Sequence, residues 1–243
     1  MRSSLPSWVP PVLIALVALI VFLIAGPLRF PMDDAYIHLV YGRNLADLGL
    51  LTFNTTPPDQ GIGTTSILWT LLLTVGHKLV GVEAAARLIG GAALLVVVWL
   101  SWVLAGWMLP EERQAGRAFA AALVALSGNL IWFSLSGMET MLWLAFGLGA
   151  IVAYRGRHWF VVGPLLGLMA LTRVEGVLLL GAIGLVDIGL RRRFDRGLLL
   201  AAVLMVLVWS PWLGYTYAKT GHLLPTSFSG KKHAQVRGAV EVV

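Results

Sequence analysis

The sequence predicts an all-α fold: a polytopic bundle of membrane-spanning helices in a single domain, residues 1–243. Three observations carry that expectation. The chain is 58% hydrophobic and only 12% charged, where soluble domains are about one-quarter charged, and its mean hydropathy is +0.83. Long apolar runs alternate with short, arginine-dense loops. The remaining polar residues gather at a few recurring places rather than spreading along helix faces. Cysteine is absent, which excludes a disulfide framework and thiolate chemistry. A net charge of +6 and a pI near 10.1 do not point to nucleic acid. The basic residues lie between apolar runs, where they set orientation and meet anionic lipid.

Residues 11–28 form a run long enough to span. It is too long for a signal-peptide core and lacks a good cleavage signal, so it reads as an uncleaved span. The outer loop, 29–83, opens with Met32-Asp33-Asp34-Ala35-Tyr36-Ile37. Residues 34–48 place Ile37, Val40, Tyr41, Asn44, Leu45 and Leu48 at helical spacing, as in a helix lying at the interface, and Gly49 stops it. Residues 49–64 are rich in Thr, Pro, Gly and Asn and read as a loop. Residues 65–80 are apolar but short, and His77-Lys78 interrupt them. Further spans are expected at 84–108, 117–135, 139–154, 158–172, 176–190 and 197–218, followed by a basic tail.

Charge sets the expected topology. Arg113 and Arg117, then Arg155 and Arg157, then Arg191, Arg192, Arg193 and Arg196 crowd three short loops. Such loops belong on the cytoplasmic side. With the N-terminus inside, all three fall there only if 65–80 does not cross, so 34–48 and 65–80 are expected as two juxtamembrane helices on the outer face. That parity gathers Asp33/Asp34, Ser136–Thr140 with Glu139, Arg173/Glu175 and the segment 220–229 with His222 on the outer side. Lys231 and Lys232 follow directly. Each has a plainer reading. An Asp at 33 or 34 can cap a helix, as can Glu139. Arg173 and Glu175 can be an ion pair at a helix break, and the two lysines can anchor lipid head groups. The histidines show no metal-ligand spacing, whereas Asp33, Asp34 and Glu139 form a candidate hard-oxygen set for a divalent cation.

The order Asp33-Asp34-Ala35-Tyr36-Ile37, Arg43-Asn44, Phe53-Asn54-x-x-Pro57, Gly63-x-Thr65-Ser66, Ser136-Gly137-Met138-Glu139-Thr140, Leu171-Thr172-Arg173-Val174-Glu175-Gly176 and Gly221-x-Leu223-Leu224-Pro225-x-Ser227-Phe228 resembles the GT-C glycosyltransferases. Within that superfamily it is similar to the bacterial arabinofuranosyl-, mannosyl- and aminoarabinosyl-transferases of the cell envelope. The resemblance covers roughly residues 10–230. It implies an integral-membrane, inverting glycosyltransferase that uses a polyprenyl-phosphate-linked sugar and an envelope glycan, lipid or protein acceptor on the outer face. It implies that Asp33, with Asp34 beside it, is the base, that Glu139 matches the family's second acidic position, and that Arg173 contacts phosphate. Val174 stands where the family usually has Pro. Family members commonly carry further spans and often an outer soluble domain, so this chain reads as a shortened member.

The chemistry needs a base for the acceptor hydroxyl, cations for the departing phosphate, and a groove that aligns both substrates. Asp33 or Asp34 suits the first. Arg173, Lys231, Lys232 and Arg43 suit the second. Thr64, Thr65 and Ser66 can donate hydrogen bonds, with Glu139, Glu175 and His222 on the acceptor side. No cofactor is required beyond the candidate cation. Two rival classes stay open: a transporter or flippase for a lipid-linked sugar, which would favour internal repeats and midplane charges, and a non-catalytic assembly subunit.

Overall fold

The computed structural model describes residues 6–25, 30–56, 62–109, 113–192 and 195–223. Among these the chain is all-helical: α1 (Val9–Ala25), α2 (Asp33–Leu48), α3 (Ile67–Val80), α4 (Val82–Met108), α5 (Gln114–Ala125), α6 (Gly128–Leu135), α7 (Thr140–Arg155), α8 (Trp159–Thr172), α9 (Val177–Arg191) and α10 (Arg196–Thr220), with a 3-10 turn at Val174–Gly176. Two of them, α4 and α10, are long and apolar enough to cross a membrane, and a third crossing results if α5 and α6, bent by 54°, count as one. The helices at 140–155, 159–172 and 177–191 have 16, 14 and 15 residues, short of the roughly 20 that span a bilayer upright.

The bend within the expected 117–135 span was not legible in its apolar pattern. Ser127 takes an extended conformation between the two helices. The turn lays α6 against α4 at Gly90, where any Cβ would collide with the Ser134 carbonyl. The longest seam joins α8 to α10. A Cβ at Gly163 would stand 2.6 Å from the Ala201 carbonyl oxygen, and one at Gly167 would stand 2.6 Å from the Val208 Cβ. Close backbone approach of this kind is how apolar helices associate in lipid, where no water is expelled and contact itself supplies the attraction.

The buried stripe of α2 differs from the expected one. Ala35, His38, Leu39, Tyr41, Gly42 and Asn44 face inward, whereas Leu48 is 54% exposed. The reason lies in α3, which packs on α2 so closely that a Cβ on Gly42 would meet Leu73 at 2.9 Å. Two polar side chains on this stripe have work there. Asn44 donates to the Thr52 and Phe53 carbonyls at 3.0 Å each. Tyr41 accepts from the Gly63 amide at 2.8 Å. All three bonds pin the loop that precedes α3. A core of Phe30, Ala35, Leu39, Trp69, Leu73 and Met138 closes beneath, and Trp69 donates to the Gly137 carbonyl at 3.0 Å. Gly137 reaches that position at φ +80°, with no room for a Cβ beside Phe30.

Polar groups collect at the two ends of the bundle. At one end Ser7 accepts from Trp102 at 3.1 Å, and Arg117 donates to the Leu109 carbonyl at 2.9 Å. Arg157 binds Asp187 and Asp195 at the α7–α8 and α9–α10 connections. At the other end lie the starts of α2, α3 and α7 and the α8–α9 break.

Candidate functional site

A cavity of about 200 Å³ opens where these last elements meet, bordered by Asp34, His38, Thr65, Glu139, Arg173 and Glu175, with Gly63 and Met138. Segments separated by more than a hundred residues thus supply one site. Asp34 comes from the first turn of α2, Glu139 from the turn before α7, and Arg173 from the break between α8 and α9.

Glu139 is 1% exposed and its side chain does not cap α7. Its Oε1 accepts from Arg173 Nη1 at 3.0 Å. Arg173 reaches Glu175 less closely, at 3.6 Å, and is 40% exposed. The guanidinium is therefore anchored by one buried carboxylate while keeping an open side toward the cavity. Arg is the side chain suited to this, since its planar fork stays charged and holds one partner while presenting donors to another. The capping reading of the aspartates also fails: Met32 precedes α2, and no side chain caps that helix.

His38 is the residue that sequence reasoning missed. Buried to 3% exposure, it lies one helical turn beyond Asp34 and points its Nε2 at Glu139 Oε2, 3.6 Å away. Its Nδ1 is 3.0 Å from the Thr64 hydroxyl. Thr64 and Thr70 are 2.9 Å apart, and Thr70 donates to the Ser66 carbonyl at 2.9 Å. Thr70 has a single proton, and it goes to that carbonyl. Thr64 then gives its proton to Thr70, in preference to its longer 3.4 Å approach to the same carbonyl. Thr64 is left to accept, so Nδ1 of His38 carries the hydrogen. Burial holds the His38 pKa below its ordinary value of 6.5; Glu139 and Asp34 oppose that shift and Arg173 adds to it. The ring is thus neutral, with a bare Nε2. The available signal was its position: residue 38 shares a helix face with Asp34 and Tyr41.

The expected site residues divide. Asp34, Thr65, Glu139, Arg173 and Glu175 border the cavity, while Asp33 is exposed and does not. Thr64 is buried one layer behind, holding His38, and Ser66 is buried beside it. Arg43 stands on the exposed back of α2, opposite the stripe that packs on α3, so it is not part of the cavity lining. His222 lies past the end of α10, exposed, with its amide bonded to Thr220 at 3.2 Å. Lys231 and Lys232 lie outside the described residues. The cation set of Asp33, Asp34 and Glu139 is not assembled: among the described residues no three acidic or histidine side chains group at metal-binding distances. Glu139 is turned to Arg173 instead.

A second concavity adjoins the first. An apolar groove of about 410 Å³ runs along α7, α8 and α9, bordered by Trp143, Gly147, Ile151, Met169 and Leu178, and it shares Glu175 with the polar cavity. Comparison with protein-family models, curated proteins and solved structures finds no match for this chain.

Proposed function

We propose that the protein is a multi-pass membrane glycosyltransferase that moves a sugar from a polyprenyl-phosphate donor to an acceptor hydroxyl on the outer face. The observation that carries this reading is the junction at Glu175 of a polar cavity holding an open guanidinium with an apolar groove. A lipid-linked sugar has that division: a prenyl tail for the groove, a phosphate for Arg173, and a sugar for the carboxylate-lined space. The outer surface of α3 supports its place along the membrane, since Leu71, Val75 and Leu79 are 46%, 63% and 76% exposed, as an interfacial helix would have them. Under this reading the short helices α7, α8 and α9 complete seven crossings together with α1, α4, the α5–α6 pair and α10.

The roles follow from position. The acceptor oxygen attacks the anomeric carbon as the bond from that carbon to the phosphate oxygen breaks, with inversion. The acceptor proton passes to Asp34, the member of the aspartate pair that borders the cavity. Polyprenyl phosphate leaves with one more negative charge than it carried in the donor. Arg173 stabilises that charge in a site already shaped for it. Glu139 holds Arg173 in place.

The test is reconstitution in liposomes with a panel of polyprenyl-phosphate-linked pentoses and hexoses and an envelope glycan fraction. Acceptor-dependent release of polyprenyl phosphate is expected, lost in Asp34→Asn and in Arg173→Ala. Movement of the intact lipid-linked sugar between leaflets without release would replace this reading with a transporter.

A further inference from the structure

The far edge of the His38 ring carries a second feature of the cavity. The threonine chain places the imidazole hydrogen on Nδ1, so Nε2 is a lone-pair acceptor. Opposite it stands Glu139 Oε2, to which no described protein group donates a hydrogen bond. The other oxygen, Oε1, is taken by Arg173. Two buried acceptors therefore face each other at 3.6 Å, a separation beyond hydrogen-bond range. Neither can satisfy the other, and both belong to residues that border the cavity. Acceptors buried in this way call for donors from outside the protein.

We propose that His38 Nε2 and Glu139 Oε2 form a two-acceptor cleft for neighbouring hydroxyls of a sugar ring. At the cleft itself His38 is neutral and the Glu139 carboxylate is matched by Arg173, while Asp34 and Glu175 stand elsewhere on the cavity lining, so a cationic donor is the competitor to be tested. Each acceptor takes one hydrogen, and hydroxyls on adjacent ring carbons supply one each. The cleft gives the sugar a fixed orientation with respect to Arg173, because Glu139 holds both. It also sets a specificity. A site built around hydrogen bonds to hydroxyls discriminates strongly against analogues that lack them, by up to about 10⁴-fold, because the buried acceptors are then left bare. The cleft rests on the function proposed above only for the path by which the sugar enters; the groups themselves are equally suited to a sugar that is bound and not transferred.

The experiment reads His38 directly. Protein with ¹⁵N-labelled histidine is placed in lipid nanodiscs and titrated with 1,4-anhydroerythritol, a five-membered ring with adjacent hydroxyls. 3-Hydroxytetrahydrofuran and methylammonium chloride serve as comparisons. Without ligand, His38 is expected to be neutral and protonated on Nδ1. The diol shifts the Nε2 resonance saturably, and the single-hydroxyl ring does so at least tenfold more weakly. Glu139→Gln places an amide donor against Nε2 and abolishes the response. Thr64→Val frees the Nδ1 hydrogen and weakens it, which keeps the test available should Glu139→Gln fail to fold. A proton already on Nε2, a stronger response to methylammonium than to the diol, or no response beyond exchange of a trapped water in a folded protein would overturn the cleft. Silent transfer assays with the diol response intact would sink the transferase reading and leave the cleft standing.

Discussion

Two buried carboxylate–arginine clusters sit at opposite ends of this molecule, and they are built for different ends. Asp187, 1% exposed, accepts from the Tyr154 hydroxyl at 3.0 Å and from Arg157. Arg157 also binds Asp195, and its guanidinium lies 4.7 Å from the Trp159 ring centroid. Asp195 in turn caps α10 by accepting from the Gly197 amide at 2.7 Å. Every part of that cluster ties one helix end to another, and aromatic rings close over it. Glu139, equally buried, commits one oxygen to Arg173 and aims the other at a neutral histidine across a cavity. The same pair of residue types makes a helix-to-helix staple at one end and borders an open cavity at the other. The cavity beside Glu139 and Arg173, rather than burial or charge, separates the two.

That comparison can be broken or sharpened by substitution. The largest expected effect is at the open end. Asp34→Asn should lower sugar transfer by about 10²–10⁴-fold with the thermal unfolding temperature unchanged, since Asp34 is exposed and caps nothing. The closed end should respond in the opposite sense. Asp187→Ala leaves Arg157 and Tyr154 without their shared acceptor and should cost about 3–5 kcal/mol of stability, read as a lowered unfolding temperature in detergent. Transfer per folded molecule should be preserved, and lost turnover with unchanged stability would mean that both ends are functional.

Arg173 sharpens the distinction between charge and geometry. Arg173→Ala should weaken donor use about 10²-fold. Arg173→Lys should weaken it only about tenfold, because the charge remains and the two-pronged donor is lost. Equal losses in the two variants would show that anchoring by Glu139 alone matters. The smallest effect is a pH dependence. The folded-state pKa of His38 lies below 6.5 because of burial, so the unfolded chain binds more protons in the window between the folded value and 6.5. Stability therefore rises with pH through that window and falls on acidification below about pH 6.5. His38→Gln should flatten the profile there. An unaltered profile in that variant would assign the dependence to another group.

Much of the helical order was legible because apolar runs and arginine-dense loops are local signals. The positions of α4, α8 and α10 follow from them within a few residues. The 54° break between α5 and α6 was not legible. The runs on either side of Ser127-Gly128-Asn129 are apolar, so this short interruption reads as part of one span, and the bend sets α6 against Gly90 of α4. At the site, Asp34, Glu139, Arg173 and Glu175 stood out because charges are rare in such a sequence. His38 and Thr70 did not stand out. A histidine on a helix becomes informative only when its ring is seen wedged between a threonine and a carboxylate, and a threonine's single proton matters only in a network. Arg43 and His222 were chosen from the resemblance and from the outer-side segments that hold them; Arg43 falls on the exposed back of α2 and His222 past the end of α10, and neither borders the cavity.

The glycine seam between α8 and α10 carries a consequence for inheritance. At Gly163 the obstacle to a larger side chain is the carbonyl of Ala201, and at Gly167 it is the branch point of Val208. Neither can rotate aside as the end of a long side chain would. A lineage that loses either glycine must shift an entire helix to compensate, whereas one that changes Glu175 disturbs only a half-exposed side chain. In a saturation screen for folded protein, Gly163 and Gly167 should therefore tolerate fewer replacements than Glu175. Over long divergence, Gly163 and Gly167 would outlast Glu175 although neither borders the cavity.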